Sequence, residues 1–455
     1  MSTDLNGVLS IVIFLGTLAL IISRPKGMNL GVAAGIGAIA SLLLGTVTLG
    51  NALVALEDIW DAALAFVGIV TLSVTLDVMG FFRWTALRVA RMAKGNGVKL
   101  YFYTALLTAT VSVLFANDSA ILILTPIVME MVTQLKMVGD DRLAYLFGAG
   151  LIADTAAMPL ITSNPVNIVS ADYFGYTFVQ HFMFMWAVAL VTIFLSLFVV
   201  YLFFRKKIPR TYSIELVEQL IQETPRPMWL KTSVATLVTI DVGYVLASYN
   251  RIPVSFMICS GAVFLVVLYA VTYKKVSKSV SSEGGVGYIL RKINWDILFF
   301  MISIFLVIDG LRSAGAIDLF ATAFKDSVGL PGVFSALVPS LLITICASAM
   351  NNWPMTMMGL MATKQAMATY SLSRQASTTL IFANIIGNNL GPHFFPLGSL
   401  AILMWMGTMK RKGLTISLKD YLKVGSILSI LEVTVAAVIL WLEVGVFGMV
   451  LPLAM

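Results

Sequence analysis

The chain has 455 residues, of which 59% are hydrophobic and 12% are charged, whereas soluble domains carry about 25% charged residues. Its mean hydropathy is +0.93, and apolar runs of the roughly 20 residues that cross a bilayer recur from Leu5 to the C-terminus. This composition excludes a soluble protein and predicts an all-α polytopic membrane protein. The net charge of +7 comes from basic residues in short loops between spans, so it indicates membrane orientation and not nucleic-acid binding.

The first apolar run, Leu5 to Ser23, has no basic residue before it and no cleavage signal after it. It is therefore predicted to be a retained helix and not a signal peptide. The two cysteines, Cys259 and Cys346, lie in separate apolar segments and predict no disulfide framework.

Basic residues predict the topology. Twenty-five of the 30 Lys and Arg residues fall into six clusters, and the positive-inside rule places all six in the cytoplasm. The stretches 100–135 and 333–370 then begin and end on one side, so each is predicted to be a re-entrant hairpin. The stretches 143–175 and 377–409 must cross the membrane although polar and Pro-rich residues break them.

Counting the membrane crossings between these cytoplasmic clusters predicts an inverted repeat of ten transmembrane helices and two re-entrant hairpins with broken helices. Each half has three spans, a hairpin, a broken span and a final span. The first repeat is predicted over 1–210, with hairpin 100–135, broken span 143–175 and final span 177–204. A cytoplasmic linker is predicted over 211–228. The second repeat is predicted over 229–455, with hairpin 333–370, broken span 377–409 and final span 421–447.

Matching motifs about 235 residues apart support the duplication. Four correspondences are predicted, and three of their intervals are nearly equal in the two halves. They pair Trp60-Asp61 with Trp295-Asp296, Gly80 with Gly315, Asn117-Asp118 with Asn351-Asn352, and Asp154 with Asn388.

Polar residues at these breaks predict a substrate site near the bilayer midplane, because non-helical backbone survives there only beside protein or a water-filled cavity. Hydroxyls, amides and helix N-termini suit a solute that donates and accepts hydrogen bonds. The predicted substrate-binding residues are Asn117, Ser119, Thr155, Ser163, Asn164, Asn167, Asn351, Asn352, Asn388, Asn389 and Ser399. For any single one of these residues, repair of broken backbone is an equally good explanation.

Two acids stand out, Asp118 and Asp154, because the predicted repeat places Asn352 and Asn388 at the matching positions. An ionised Asp at the bilayer centre costs about 2.5–3.5 kcal/mol, so proton or cation coupling is the natural reason to keep both. We predict that they couple transport to protons. His393 could also titrate. No metal site and no cofactor is predicted.

Four segments resemble motifs of the bacterial arsenite efflux permeases, which belong to the ion transporter superfamily. They are Phe115 to Pro126, Ile152 to Asp172, Met350-Asn-Asn-Trp-Pro354 and Gly391 to Leu400. The likeness runs from the first span to the last. It implies a multi-pass inner-membrane antiporter that exports arsenite and antimonite in exchange for protons, in some members with a cytosolic ATPase partner. The chain departs from the pattern at Pro165 and Trp353, and it has His393 where a Lys is expected.

The residues themselves agree with that substrate. A soft-metal site for trivalent arsenic would need about three thiolates, and this chain has two cysteines. The uncharged trihydroxide of arsenite suits a site lined by amide and hydroxyl side chains. Two alternatives from the same superfamily stay open, a sodium–proton antiporter and a sodium-coupled carboxylate transporter. A membrane-embedded hydrolase is disfavoured, because the two histidines are far apart and no His-Glu-x-x-His motif occurs.

The topology is testable by cysteine labelling. We expect Ser213→Cys to resist an impermeant thiol reagent in intact cells, and Ser2→Cys to react, because the basic clusters should hold the linker inside. Labelling of Ser213→Cys from outside would overturn the arrangement.

Overall fold

The computed structural model describes residues 5–224, 226–250, 252–280, 285–312 and 314–453, without the side chains of 55 and 274–280. Ser2, Pro225 and Arg251 lie outside these ranges. The all-α fold class is confirmed: helices make up most of the described residues. Eight of the described helices are long and apolar enough to cross a membrane, and the total of ten spans stays a prediction.

The first half consists of three long or apolar helices, a short amphipathic helix, a helical hairpin, a broken helix and a last long helix. Their bounds are α1 Leu5–Ser23, α2 Leu30–Leu43, α3 Leu49–Val78, α4 Phe81–Met92, α5 Gly97–Phe115, α6 Asn117–Gln134, α7 Leu143–Thr155, α8 Pro165–Phe174 and α9 Phe178–Phe204.

The second half has the same order, with one additional short helix before its third long helix. The helix α10, Ile214–Glu223, connects the halves. The remaining bounds are α11 Leu230–Tyr249, α12 Val254–Val280, α13 Val286–Lys292, α14 Trp295–Gly310, α15 Ala316–Val328, α16 Phe334–Met350, α17 Asn352–Tyr370, α18 Arg374–Leu390, α19 Leu400–Arg411 and α20 Leu418–Trp441.

The linker between the halves is more ordered than its polar, Pro-containing sequence suggests. The hydroxyl of Ser213 accepts a hydrogen bond from the backbone N–H of Leu216 at 3.2 Å and so caps α10. Val217 is fully buried, and Glu218 forms an ion pair with Arg91 of α4 at 2.8 Å. These contacts fix α10 against the first half.

The long helices before the hairpins pack across the two halves, α2 against α14 and α3 against α12. The hairpins pack instead on the broken helices, α5 and α6 on α7, and α16 and α17 on α18. The last helices of the halves, α9 and α20, contact each other, and α20 also contacts α16 and α18. This arrangement surrounds both helix breaks with protein.

The repeated Trp-Asp motif has a structural role. Both carboxylate oxygens of Asp296 accept hydrogen bonds from the first residues of α2, Leu30 N–H at 3.1 Å and Gly31 N–H at 2.9 Å. Asp61 accepts a hydrogen bond from Ser255 N–H, near the start of α12, at 3.1 Å. Each half therefore caps a helix N-terminus of the other, where a negative charge is favourable.

A cap of this kind predicts a stability effect. We expect Asp296→Ala to lower the free energy of unfolding by about 1 kcal/mol, the typical loss for an N-cap, and so to lower the thermal unfolding midpoint of the purified protein. Asp326→Ala is the matched control, because Asp326 is exposed and its ion pair among the described residues is with its neighbour Lys325. Equal midpoints for the two variants would contradict the capping role.

Candidate functional site

Both hairpins turn at one residue with positive φ. Ala116 has φ 63° and ψ 152°, and Asn351 has φ 83° and ψ 151°, a conformation that residues other than Gly rarely adopt. The turn of the first hairpin therefore lies at Ala116, one residue before Asn117. Asn117, Asp118 and Ser119 form the first helical turn of α6.

These turns fix the register of the repeat. Gly315 follows Gly80, and Asn351 follows Ala116, by 235 residues. The short 3-10 turns inside the two broken spans, Ile161–Ser163 and Pro396–Gly398, are separated by the same 235 residues.

This register corrects two of the predicted correspondences by one residue. Asp154 corresponds to Asn389 and not to Asn388, and Asp118 corresponds to Trp353 and not to Asn352. The sequence comparison aligned the Asn-rich pairs by residue type, whereas the backbone conformation of the tip sets the true register. Of the two acids, only Asp154 has an amide counterpart.

The broken spans have matching geometry. Helix α7 ends at Thr155 and α8 begins at Pro165, whereas α18 ends at Leu390 and α19 begins at Leu400. The amide oxygen of Asn164 accepts a hydrogen bond from Val166 N–H at 3.3 Å. The hydroxyl of Ser399 accepts one from Ile402 N–H at 3.4 Å. Both residues therefore cap the second arm of a broken helix.

Three other predicted site residues donate hydrogen bonds to backbone carbonyls, one in the last turn of α5 and two within the breaks. Ser163 Oγ donates to the carbonyl of Val113 on α5 at 2.9 Å. Asn167 Nδ2 donates to the carbonyl of Ala157 at 2.8 Å, and Asn351 Nδ2 donates to the carbonyl of Leu397 at 3.2 Å. A lipid environment offers no water to these carbonyls, so protein donors must satisfy them.

A chain of amides joins the halves at the centre. Asn164 Nδ2 donates to Asn389 Oδ1 at 2.9 Å, and Asn389 Nδ2 donates to Asn167 Oδ1 at 3.0 Å. Asn388 does not join this chain, because its Nδ2 bonds to Asn384 within its own helix at 2.8 Å. The structure thus brings three of the predicted residues into direct contact across the halves.

Asp154, in the last turn of α7, is 2% exposed. Its Oδ1 accepts a hydrogen bond from Asn117 Nδ2 at 2.6 Å, which ties α7 to the tip of the first hairpin. The carboxylate also lies close enough to Ser399 to interact with its hydroxyl. Its Oδ2 lies 3.6 Å from His393 Nε2.

Glu432 is a fully buried acid that the sequence reasoning missed. It accepts a hydrogen bond from Thr155 at 2.7 Å and contacts Ser196 and His393. The signal was a carboxylate within the apolar run of the last span, where an ionisable residue is by default a functional candidate. Tyr421 and Ser429 lie on the same face of α20, and their hydroxyls donate to the carbonyls of Pro392 and Leu390 in the second break.

Several buried polar atoms at the site have no hydrogen-bond partner among the described residues. An unpaired buried polar group costs about 1–3 kcal/mol, so these atoms have capacity to bind a polar solute. They are Asn117 Oδ1, Ser119 Oγ, Asp154 Oδ2, Asn352 Oδ1, Asn388 Oδ1 and His393 Nε2.

Two cavities of opposite charge approach the site. One of about 570 Å³ is lined by Ser119, by Asp77 and by two basic pairs, Arg291-Lys292 and Arg411-Lys412. The other, of about 380 Å³, includes Ile161 of the first break and four acids. Those acids are Glu57, Asp58, Asp61 and Asp172.

Comparison with known proteins agrees with this architecture. The family model described as arsenical pump membrane protein matches residues 9–443. The chain is 36% identical over 434 residues to the arsenical pump membrane protein of Escherichia coli, covering 95% of this chain and 98% of that protein. It is also 36% identical over 435 residues to the protein of the same name from Yersinia enterocolitica, with 95% and 98% covered.

A solved structure has a similar fold. The YdaH transporter of Alcanivorax borkumensis, described as having an unusual topology, superposes with a TM-score of 0.54 at 16% identity, covering 87% of this chain and 88% of that one. The sequence relatives and the apolar helices together establish a multi-pass protein of the bacterial inner membrane. The chain belongs to the arsenical pump membrane protein family.

Proposed function

We propose that this protein exports arsenite and antimonite from the cytoplasm in exchange for protons. The observation that carries the proposal is the buried polar centre, in which Asp154 contacts Asn117 of the first half and lies close to His393 and Ser399 of the second. The relatives' names support an arsenical substrate. Proton exchange is inferred from the acids of the site.

The substrate chemistry fits the unpaired acceptors. Arsenite is mainly the neutral trihydroxide near neutral pH, so it donates three hydroxyl hydrogens. Asn117 Oδ1, Asn352 Oδ1 and Asn388 Oδ1 are buried acceptors without a protein donor among the described residues. We infer that these amide oxygens, with Ser119 Oγ, receive the hydroxyls of the substrate.

Asp154 is the stronger of the two candidates for proton coupling. Its counterpart Asn389 shows that an amide serves the fold at this position, so the carboxyl group has another purpose. Asp118 lies in the first turn of α6, where the helix N-terminus favours a negative charge. It is the second candidate, although Trp353 at the matching position gives no amide comparison.

The charges of the two cavities support the direction of exchange. The predicted topology places the cavity with four acids on the outer side, where a negative potential raises the local proton concentration. The basic cavity that reaches Ser119 is placed on the cytoplasmic side, from which the neutral substrate would come. A cytosolic ATPase is proposed only as an accessory partner, because the site has its own acids for coupling.

A sodium–proton antiporter remains the second candidate, because a site with more than one buried acid also suits a sodium ion. The carboxylate transporter is less compatible with the structure. Ser399 and Asn164 cap helices that could face an anion, but Asp154 lies close to Ser399 and would repel a carboxylate.

The coupling role of the acids is testable by amide substitution. We expect Asp154→Asn and Asp118→Asn to insert normally but to lose arsenite accumulation driven by a pH gradient in inverted membrane vesicles. An amide keeps the hydrogen-bonding shape but cannot carry a proton. Proton antiport requires that an acid exchange its proton during the cycle.

The matched control is Asn352→Ala, which removes a proposed substrate acceptor and no acid. It should raise the arsenite concentration for half-maximal transport by roughly tenfold, the equivalent of one lost hydrogen bond, while transport still responds to the gradient. If both Asp variants respond to the gradient as the parent does, the protons travel through other residues. Accumulation of sodium in place of arsenite would favour the second candidate.

Thiols should be dispensable for this substrate. Cys259 lies on α12 and Cys346 on α16, and two separated thiols cannot form a three-thiolate site. We expect Cys259→Ser and Cys346→Ser to keep arsenite transport within a few-fold of the parent in the same vesicles. Loss of transport in Cys346→Ser at normal abundance would instead indicate a sulfur ligand, since Cys346 is close in sequence to the Asn351 turn.

A further inference from the structure

Glu432 is held in one orientation by groups from three elements. Its Oε1 accepts hydrogen bonds from Thr155 Oγ1 on α7 at 2.7 Å and from Ser196 Oγ on α9. Its Oε2 lies 2.7 Å from His393 Nδ1, in the second break. The side chain is fully buried. A buried carboxylate with this many partners has a fixed position and a fixed direction.

His393 is oriented by that contact. Its Nδ1 faces Glu432, and when Nδ1 donates to the carboxylate, the other nitrogen of the neutral ring is an acceptor. That nitrogen, Nε2, lies 3.6 Å from Asp154 Oδ2. Both atoms are buried and have no hydrogen-bond partner among the described residues. The imidazole therefore lies between two carboxyl groups, and the backbone of Leu151 on α7 is also close to the ring.

We propose that Glu432 is a positioning residue that holds His393 so that Nε2 exchanges a proton with Asp154, and that the three residues act as one proton-carrying unit. This inference rests on the proposed proton antiport and adds residues to it. It also assigns His393 a function that the sequence left open.

The proton step is balanced within the trio. The proton leaves Oδ2 of the Asp154 carboxylic acid and bonds to Nε2 of His393. The products are the Asp154 carboxylate and an imidazolium, whose Nδ1–H remains hydrogen-bonded to the Glu432 carboxylate. The net charge of the three residues does not change, and the imidazolium that forms lies between two carboxylates. Their attraction offsets the cost of separating charge in a low-dielectric site. A small approach of α7 and the second break would close the 3.6 Å distance.

The other titratable groups near the unit are Asp118 on α6 and Tyr421 on α20. Asp118 interacts with Asp154 through space, and Tyr421 donates to the carbonyl of Pro392 at 3.1 Å. Among the described residues, neither side chain forms a hydrogen bond with His393. The titratable groups of the proposed unit are therefore Asp154, His393 and Glu432.

The test uses the full-length protein in inverted vesicles, with two readouts for each variant. The first is arsenite accumulation under imposed pH gradients over a series of pH values around neutrality. The second is exchange of labelled for unlabelled arsenite, which needs substrate binding and reorientation but no proton transfer. Membrane abundance and the thermal midpoint of each purified variant show whether it is folded.

We expect Glu432→Gln to keep arsenite exchange within a few-fold but to reduce gradient-driven accumulation by roughly tenfold to a hundredfold, the range for losing a charge-assisted hydrogen bond. Glu432→Asp should restore part of the accumulation. His393→Lys, which keeps a cation that stays charged near neutral pH, should retain exchange and lose the inflection of the pH profile. Glu443→Gln is the matched control, because Glu443 is a buried acid just beyond α20 and outside the unit, and it should behave as the parent.

The outcomes separate the two proposals. If parent vesicles exchange or accumulate no arsenite in response to a gradient, the antiport proposal fails and this inference fails with it. If the parent accumulates arsenite and Glu432→Gln or His393→Lys keeps the parental pH profile, only the proton-carrying unit is overturned. Equal loss of exchange and accumulation in a folded Glu432→Gln protein would also overturn it, because the residue would then act on substrate binding.

Discussion

The fold depends on the need to satisfy backbone groups at the two helix breaks and the two hairpin turns. In a bilayer, each unpaired N–H or C=O group costs several kcal/mol, so an interrupted span is stable only where neighbouring protein supplies partners. Ser163 and Asn167 supply them in the first half. Tyr421 and Ser429 supply them in the second. The residues proposed to bind substrate therefore lie among groups that the fold itself requires.

The same requirement explains why the site lies between the halves. Asn389 of the second half connects Asn164 and Asn167 of the first, so side chains of the two broken helices are joined directly across the halves. The reciprocal caps by Asp61 and Asp296 add a second connection of this kind. A change in the relative position of the halves or of the broken helices would alter the polar centre directly, which is a suitable basis for coupling transport to a conformational change.

The chemistry of the centre is asymmetric although the backbone is repeated. Asp154 in one half corresponds to Asn389 in the other, and the first half's hairpin places Asp118 where the second has Trp353. The second break adds His393, and the last helix adds Glu432, which together face Asp154 from one side. The backbone is thus duplicated, whereas the ionisable groups Asp154, His393 and Glu432 lie together. We propose that the neutral amides receive the substrate.

The sequence by itself determined the all-α class, the membrane environment, the two hairpins, the two broken spans and the family resemblance, because hydropathy, charge and local breaks are carried by adjacent residues. It also named Asn117, Asp154 and Asn389 as site candidates, and the structure buries all three in hydrogen-bonded positions. Only the tertiary structure decided the register of the repeat, since the tips at Ala116 and Asn351 share a backbone conformation and not a residue type. It also decided the surroundings of Glu432, because the partners of that carboxylate lie 39 to 277 residues away in the chain and meet only when α7, α9, α20 and the second break pack together.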